Sequence, residues 1–275
     1  MLRHFLNPPN WFTAASIFCS TTAMALLMSA EEVNRQVLAR ACILIVFGGV
    51  FDNLDGRVAR LTRRQSEFGV QLDSIADMLG FGLAPAMVAW AWKLDTLGWP
   101  GLAFAFWYVL CAAFRLARFN VNTVTHVWPL GGHSQGLTST MSGGILVTLV
   151  WVASGSLRDT ITVSAPMLCA FTALLGYLMI SSIPFRNFKD VRRNPNARRL
   201  LGVAIASCLT GALWFDDVSL FFGVGAVLYV VAGLADGLTV AAMNGRLASA
   251  LMMTDHADDV VTDDEDDESP SAVHR

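Results

Sequence analysis

Long apolar runs dominate the pattern of hydrophobic and polar positions along the 275-residue chain. A helix needs about 20 apolar residues to cross a bilayer, and eight runs reach or approach that length. Lipid cannot satisfy exposed backbone polar groups, so each run is predicted to be a helix. The runs cover approximately residues 11–30, 38–55, 74–93, 100–118, 136–155, 162–183, 199–214 and 217–240. The pattern therefore predicts an all-α fold, a polytopic membrane helix bundle of about eight transmembrane helices.

Composition excludes an ordinary soluble domain. Only 15% of the residues are charged, whereas soluble domains carry roughly 25%. The five cysteines lie inside apolar runs without a C-x-x-C pair, which is typical of small buried hydrophobes and argues against disulfides or a zinc site. No cleavable signal peptide is evident before the first run.

The basic residues predict the orientation of the bundle. With eight spans, both termini share one side, and that side holds 15 of the 19 Lys and Arg residues. Cytoplasmic loops carry the excess of Lys and Arg, so we predict cytoplasmic termini in a bacterial inner membrane. Nine of the 22 acidic residues lie between Asp255 and Glu268. We therefore predict a membrane domain over residues 1–245 and a disordered acidic tail over 246–275, with a docking role of the tail as the alternative.

Four aspartates lie where the second run ends and the third begins. Asp52 and Asp55 are three residues apart, and Asp73 and Asp77 are four apart, so each pair shares one face of a helix. Charged groups in a membrane need partners, and converging carboxylates repel one another, but bound cations resolve both problems. An all-oxygen ligand set suits Mg²⁺ or Mn²⁺. We predict that the four aspartates hold two divalent cations in a cytoplasm-facing cavity, a pair that can stabilise phosphoryl displacement. The alternative is an interfacial loop with scattered acids.

Small and polar side chains separate the two acidic pairs. Gly56 and Ala59 leave space for a ligand beside the backbone, and Arg60 can pair with a phosphate. Ser66 offers a hydroxyl group, and Gly69 leaves further space. Together with the carboxylates, these residues indicate a site for a phosphate-bearing ligand.

The spacing D-x2-D-G-x2-A-R-x8-G-x3-D-x3-D resembles the signature of the CDP-alcohol phosphatidyltransferase family at every fixed position. The resemblance implies that Asp52, Asp55 and Asp73 ligate the two metals. It implies two roles for Asp77, which would ligate one metal and act as the general base.

The same resemblance implies a binding site for the CDP moiety of a CDP-lipid. The residues expected to line it are Gly56, Arg60, Ser66 and Gly69. Upstream, Asn10 and Thr13 belong to a P-N-x-x-T segment that resembles the one family members place before the first span. They are expected to contact the cytidine or its ribose; the alternative is a Pro/Asn turn with a helix cap.

Other segments indicate the acceptor alcohol. FRLARFN, residues 114–120, resembles a stretch of the bacterial phosphatidylserine synthase branch of the family. Arg115 and Arg118 are candidates for contacts with an amino-acid carboxylate or a phosphate; the alternative is membrane anchoring by positive charge. Gly136 and Leu137 resemble the G-L-P segment of that branch, with Thr138 in place of the proline, and residues 177–188 resemble its sixth span. The resemblance implies CDP-diacylglycerol as donor and L-serine as acceptor.

Two alternatives stay open from the residues alone. Glycerol 3-phosphate or inositol phosphate as acceptor would require extra basic groups for the acceptor's phosphate. A carboxylate-lined cation transporter would favour acids deep within spans and has no use for the Gly56, Arg60 and Gly69 spacing. Family members are commonly homodimers, so a homodimer among membrane lipids is expected, without a nucleic-acid partner.

Overall fold

The computed structural model describes residues 7–62, 66–125, 133–155, 162–181 and 184–186. In this part of the chain the fold is a bundle of helices with one short β-ribbon. The α-helices are α1 Pro8–Ser29, α2 Arg35–Thr62, α3 Glu67–Asp77, α4 Ala84–Trp92, α5 Trp99–Thr125, α6 Ser139–Ser154 and α7 Ala165–Ile180. A π-helical segment, Met78–Leu83, joins α3 to α4, and a 3₁₀ turn, Leu94–Leu97, precedes α5.

Helices α1 and α2 form a close-packed antiparallel pair. Pro8 and Pro9 begin α1, where the missing N–H groups of proline cost nothing because they have no intrahelical partner. At Gly48 of α2, an added Cβ would lie 3.4 Å from the Ser16 carbonyl and from Ser20 Oγ of α1. A small residue there lets the two backbones approach, as is typical of membrane helix pairs.

The third span is one continuous helical rod from Glu67 to Trp92. Ser66 caps its first turn, because the Ser66 hydroxyl accepts a hydrogen bond from the Gly69 N–H at 3.0 Å. The π-helical segment follows Asp77 directly, and such segments are frequent at functional sites. Its backbone contacts α6, since an added Cβ at Gly143 would lie 2.9 Å from Phe81 Cα.

Two apolar clusters hold the helices together. The larger one is formed by residues of α4, α5, α6 and α7. It includes Tyr108, Leu146 and Met179, which are fully buried. The smaller one joins α1, α2, α4 and α6 around Ala41 and Val150. Helices α4 and α6 contribute to both clusters, so they connect the two halves of the bundle in the described residues.

The structure confirms the helical class and places a helix on each of the first six predicted spans. Four described helices are long and apolar enough to cross a membrane, and the protein is an integral membrane protein. Helices α6 and α7 are apolar but have only 16 residues each. The seventh and eighth predicted spans and the acidic tail lie outside the described residues. One feature was not predicted: His133–Gln135 pairs antiparallel with Pro184–Arg186 as a two-stranded ribbon.

Candidate active site

The four motif aspartates converge at the adjoining ends of α2 and α3. Carboxylate oxygens of Asp52, Asp55 and Asp73 all lie within 4.8 Å of one another. The side chain of Asp77 lies against that of Asp52. Helix α2 continues seven residues past Asp55, and α3 begins six residues before Asp73. Both acidic pairs therefore lie inside rigid helices, which fixes the direction of each carboxylate.

Helix α1 supports this cluster from the side. The Thr13 hydroxyl donates a hydrogen bond to Asp55 Oδ2 at 2.6 Å, a length typical of a hydroxyl bound to a carboxylate. Thr13 and Asp55 are 3% and 5% exposed, so water does not compete for this bond. Thr13 was predicted to contact the nucleotide, which stays a prediction, and in the structure its hydroxyl orients a candidate metal ligand.

Asn10, one turn before Thr13, lies beside the start of α3. An added Cβ at Gly69 would meet Asn10 Oδ1 at 3.4 Å and Ser66 Oγ at 3.1 Å. The glycine therefore lets α1 and the capped end of α3 approach each other. This packing explains the small residue at Gly69 independently of any ligand.

Gly56 and Arg60 lie on the outer side of α2, one turn apart. An added Cβ at Gly56 would meet nothing within 4 Å, so the position borders open space. The Arg60 side chain is exposed, and its Nε donates to the Gly56 carbonyl at 2.9 Å. The space beside Gly56 next to an exposed guanidinium agrees with the predicted approach of a phosphate-bearing ligand, which stays a prediction.

Arg115 and Arg118 are built into the contacts between helices. Arg115 is 8% exposed; its Nε donates to the Leu137 carbonyl at 2.8 Å and its Nη1 to Ser139 Oγ at 3.2 Å. The Arg115 guanidinium also interacts electrostatically with Asp77. Arg118 donates to backbone carbonyls at the end of α7, with Nη1 2.9 Å from Ile180 O. These bonds give both arginines a structural role, and the predicted acceptor contacts stay predictions.

Three polar residues near the site were not proposed as functional residues from the sequence. Thr138, which stands where the resembling branch has a proline, caps α6 by accepting from the Met141 N–H. Ser139 receives the Arg115 hydrogen bond. Asn120 contacts Ser74 of α3, and its place at the end of the FRLARFN stretch could have indicated it. Each of these contacts depends on the packing of separate helices, which residue spacing does not reveal.

The aspartate cluster has the donor chemistry for divalent cations. Three carboxylates offer oxygen atoms within 4.8 Å of one another, and hard cations such as Mg²⁺ and Mn²⁺ prefer oxygen ligands. The Thr13 hydroxyl orients one of these ligands from behind, as outer partners do in metal sites. The residues therefore fit a divalent metal centre at Asp52, Asp55 and Asp73, and Asp77 as a further ligand stays a prediction.

Comparisons with known proteins agree with this chemistry. The profile of a family described as CDP-alcohol phosphatidyltransferase matches residues 6–183. Three similar proteins are named CDP-diacylglycerol–serine O-phosphatidyltransferase. That of Helicobacter pylori is 33% identical over 233 residues, 83% of this chain and 92% of the relative. That of Mycobacterium tuberculosis is 28% identical over 208 residues, 74% and 70% of the two chains. That of Bacillus subtilis is 33% identical over 150 residues, 54% and 76%. Because the family profile covers more than half of the sequence, the chain belongs to the CDP-alcohol phosphatidyltransferase family.

Proposed function

We propose that the protein transfers the phosphatidyl group of CDP-diacylglycerol to the hydroxyl of L-serine, giving phosphatidylserine and CMP. The observation that carries this proposal is the convergence of the four motif carboxylates at one end of the bundle. The family supplies the reaction class, and the names of the relatives supply the acceptor. The enzyme would thus be a CDP-diacylglycerol–serine O-phosphatidyltransferase of phospholipid biosynthesis.

Each site residue has a defined part in this reaction. Asp52, Asp55, Asp73 and Asp77 hold the divalent cations, which when bound stabilise negative charge on the pyrophosphate of the donor. Asp77 accepts the proton of the serine hydroxyl as general base. The hydroxyl oxygen bonds to the phosphorus that carries the diacylglycerol, and the bond from that phosphorus to the CMP oxygen breaks. CMP leaves with the electron pair of the broken bond.

The donor is held in two parts. Its acyl chains lie in the bilayer, among the exposed apolar side chains of α1 and α2. Its nucleotide lies against Asn10, Thr13, Gly56, Arg60 and the Ser66–Gly69 turn, on the side where Gly56 borders open space. The exposed guanidinium of Arg60 is placed to pair with phosphate on that side.

The acceptor is proposed to bind on the α5 side of the aspartates. Arg115 is the basic residue that interacts electrostatically with Asp77, so a serine carboxylate near its guanidinium would bring the serine hydroxyl towards the base. Arg118 shapes the neighbouring wall through its bonds to the end of α7. Arg115 and Arg118 are the candidates for contacts with the serine carboxylate.

The setting of the enzyme follows from its spans and its charges. We propose a multi-pass protein of the bacterial cell membrane, with the active site and both termini on the cytoplasmic side, because 15 of the 19 Lys and Arg residues fall on one side of the predicted eight-span topology and cytoplasmic loops carry such an excess. The apolar faces of the later spans are proposed to form a homodimer interface.

An acceptor panel tests this function. Purified full-length protein in lipid nanodiscs is given CDP-diacylglycerol and Mn²⁺ with serine, glycerol, glycerol 3-phosphate, inositol or inositol phosphate, and CMP release is measured. We expect CMP release with serine alone, together with phosphatidylserine in the lipid extract. CMP release with a phosphorylated alcohol but not with serine would assign a different acceptor. Absence of CMP with every alcohol, together with Mn²⁺ flux in liposomes, would favour the transporter.

A further inference from the structure

The helix that carries Asp73 and Asp77 has little apolar packing of its own. Ala76 is the one buried residue among the 11 residues of α3. Three large apolar side chains of α3 are between 45% and 57% exposed: Phe68, Val70 and Ile75. Lipid surrounds such side chains as favourably as protein does, so membrane helices associate through close contacts and polar bonds. Helix α3 is continuous with α4, which packs in both apolar clusters, and polar bonds add to this packing in fixing the rotation of α3 about its axis.

One such bond joins the middle of α3 to the end of α5. Asn120 Nδ2 donates to Ser74 Oγ at 3.1 Å, and Asn120 Oδ1 lies 3.3 Å from the same oxygen. Ser74 Oγ is also 3.1 Å from the Val70 carbonyl one turn earlier. The serine can thus donate along its own helix while it accepts from Asn120. The bond joins two residues that are 46 positions apart in sequence, on different helices.

The position of Ser74 makes this bond relevant to the metal ligands. A helix advances about 100° per residue, so Ser74 lies about 100° around the axis from Asp73 and about 60° from Asp77. A bond on this flank resists rotation that would turn both carboxylates away from Asp52 and Asp55.

The end of α5 is itself firmly held. Arg115 bonds to the start of α6, where it reaches Leu137 O and Ser139 Oγ. Arg118 bonds to three carbonyls at the end of α7, those of Met179, Ile180 and Ser181. Asn120 follows these two arginines on the same helix, so it presents its amide to Ser74 from a fixed support.

We propose that Asn120 is a positioning residue, which acts through Ser74 to hold Asp73 and Asp77 in the orientation that binds the divalent cations. The inference rests on the metal centre of the proposed function and is independent of which alcohol accepts the phosphatidyl group. It assigns a role in the catalytic geometry to a residue that need not touch substrate or cation.

The effect expected from losing the bond is moderate. Hydrogen bonds between membrane helices correspond to a factor of about 3 on average and about 18 at most. We expect Ser74→Ala and Asn120→Leu each to raise the half-saturating Mn²⁺ concentration by about 3- to 18-fold. Because both substitutions remove the same bond, the double variant should lose no more than the weaker-binding single variant.

The test is a metal titration that needs no turnover. The thermal unfolding midpoint of the full-length protein in nanodiscs is measured against Mn²⁺ concentration, since a ligand that binds the folded state raises that midpoint. Thr21→Ala is the matched control, because the Thr21 hydroxyl bonds to carbonyls of its own helix α1. Ser74→Thr keeps the hydroxyl and should restore most of the affinity. The midpoint without metal shows whether each variant folds.

Several results would overturn the proposal. The first is a half-saturating Mn²⁺ concentration within about twofold of the wild type for both single variants, because that effect is below the average for such a bond. The second is a loss of Mn²⁺ affinity in the double variant that equals the product of the two single losses. The third is no stabilisation of the wild type by Mn²⁺. The acceptor panel separates this inference from the proposed function. If the wild type does not use serine but the variants bind Mn²⁺ more weakly, the positioning role stands and the proposed acceptor fails.

Discussion

The hydrogen bond from Thr13 to Asp55 gives the sharpest prediction about the metal centre. Thr13→Val removes the hydroxyl while the side chain keeps its shape, so Asp55 Oδ2 loses a donor at 2.6 Å. Both side chains are buried, so water cannot easily replace that donor. A hydrogen bond to a charged group contributes about 1.5–3 kcal/mol, which corresponds to a factor of about 10 to 150.

Surveys of metal sites lead to a similar magnitude. Loss of an outer partner that orients a metal ligand typically costs about 10- to 100-fold in metal affinity or activity. We therefore expect Thr13→Val to raise the Mn²⁺ concentration required for half-maximal CMP release by about 10- to 100-fold. The KM for CDP-diacylglycerol at saturating Mn²⁺ should change much less.

The assay measures CMP release against Mn²⁺ concentration at fixed lipid, and then against lipid at saturating Mn²⁺. Thr13→Ser keeps the hydroxyl and should approach the wild type. Thr21→Val, on the exposed face of the same helix, should behave as the wild type. If the Thr13 hydroxyl acts only through the ribose and does not orient Asp55, Thr13→Val will raise the KM for CDP-diacylglycerol and leave the Mn²⁺ requirement unchanged. That outcome would refute the role in orienting Asp55.

Four further predictions address the base, the metal and the packing. Asp77→Asn should lower kcat by about 100- to 10,000-fold while the protein stays folded. Turnover near the wild-type rate would show that Asp77 is not the base. Chelation should abolish CMP release, and Mg²⁺ or Mn²⁺ should restore it. Gly143→Ala places a Cβ 2.9 Å from the Phe81 backbone, whereas the Cβ of Gly144→Ala meets nothing within 4 Å. In thermal denaturation, Gly143→Ala should be less stable than Gly144→Ala by about 1–3 kcal/mol. Equal stability of the two variants would contradict the packing of α6 on Phe81. Arg118→Met should lower the free energy of unfolding by about 1.5–3 kcal/mol. Arg118→Lys should recover only part of the lost stability.

The sequence was sufficient to predict the aspartate cluster because helical spacing is a local property. Residues three or four apart share a helix face wherever the helix lies, so the pairs Asp52–Asp55 and Asp73–Asp77 were identified without tertiary information. A helix on each of the first six runs was likewise predictable, because the bilayer imposes a length and a composition on its spans, and four of these helices are long and apolar enough to cross a membrane. The change from apolar to charged residues was a poorer guide to where these helices begin and end. Helix α2 continues to Thr62 and α3 begins at Glu67, because polar residues at the interface remain helical.

The partners of the polar side chains could not be predicted, because they depend on which helices are neighbours. The charge and spacing of Arg115 and Arg118 are typical of a substrate-binding pair. In the structure, however, several of their N–H groups donate hydrogen bonds that join α5 to α6 and α7. The π-helical segment after Asp77 is also invisible in the apolar pattern, since its sequence fits an ordinary membrane helix.

A common physical principle connects the catalytic motif with the polar contacts around it. In a membrane, apolar side chains do not distinguish protein from lipid, so burial alone cannot orient a helix that carries catalytic groups. Each acidic pair is accordingly tied to a different helix by a polar bond: Asp55 to Thr13 of α1, and α3, through Ser74, to Asn120 of α5. Removing either bond should weaken cation binding without unfolding the bundle, because the apolar clusters lie elsewhere. If Thr13→Val and Asn120→Leu act on opposite sides of one metal centre, their effects on the Mn²⁺ requirement should multiply. Effects that do not multiply would indicate that the two bonds support a single rigid unit.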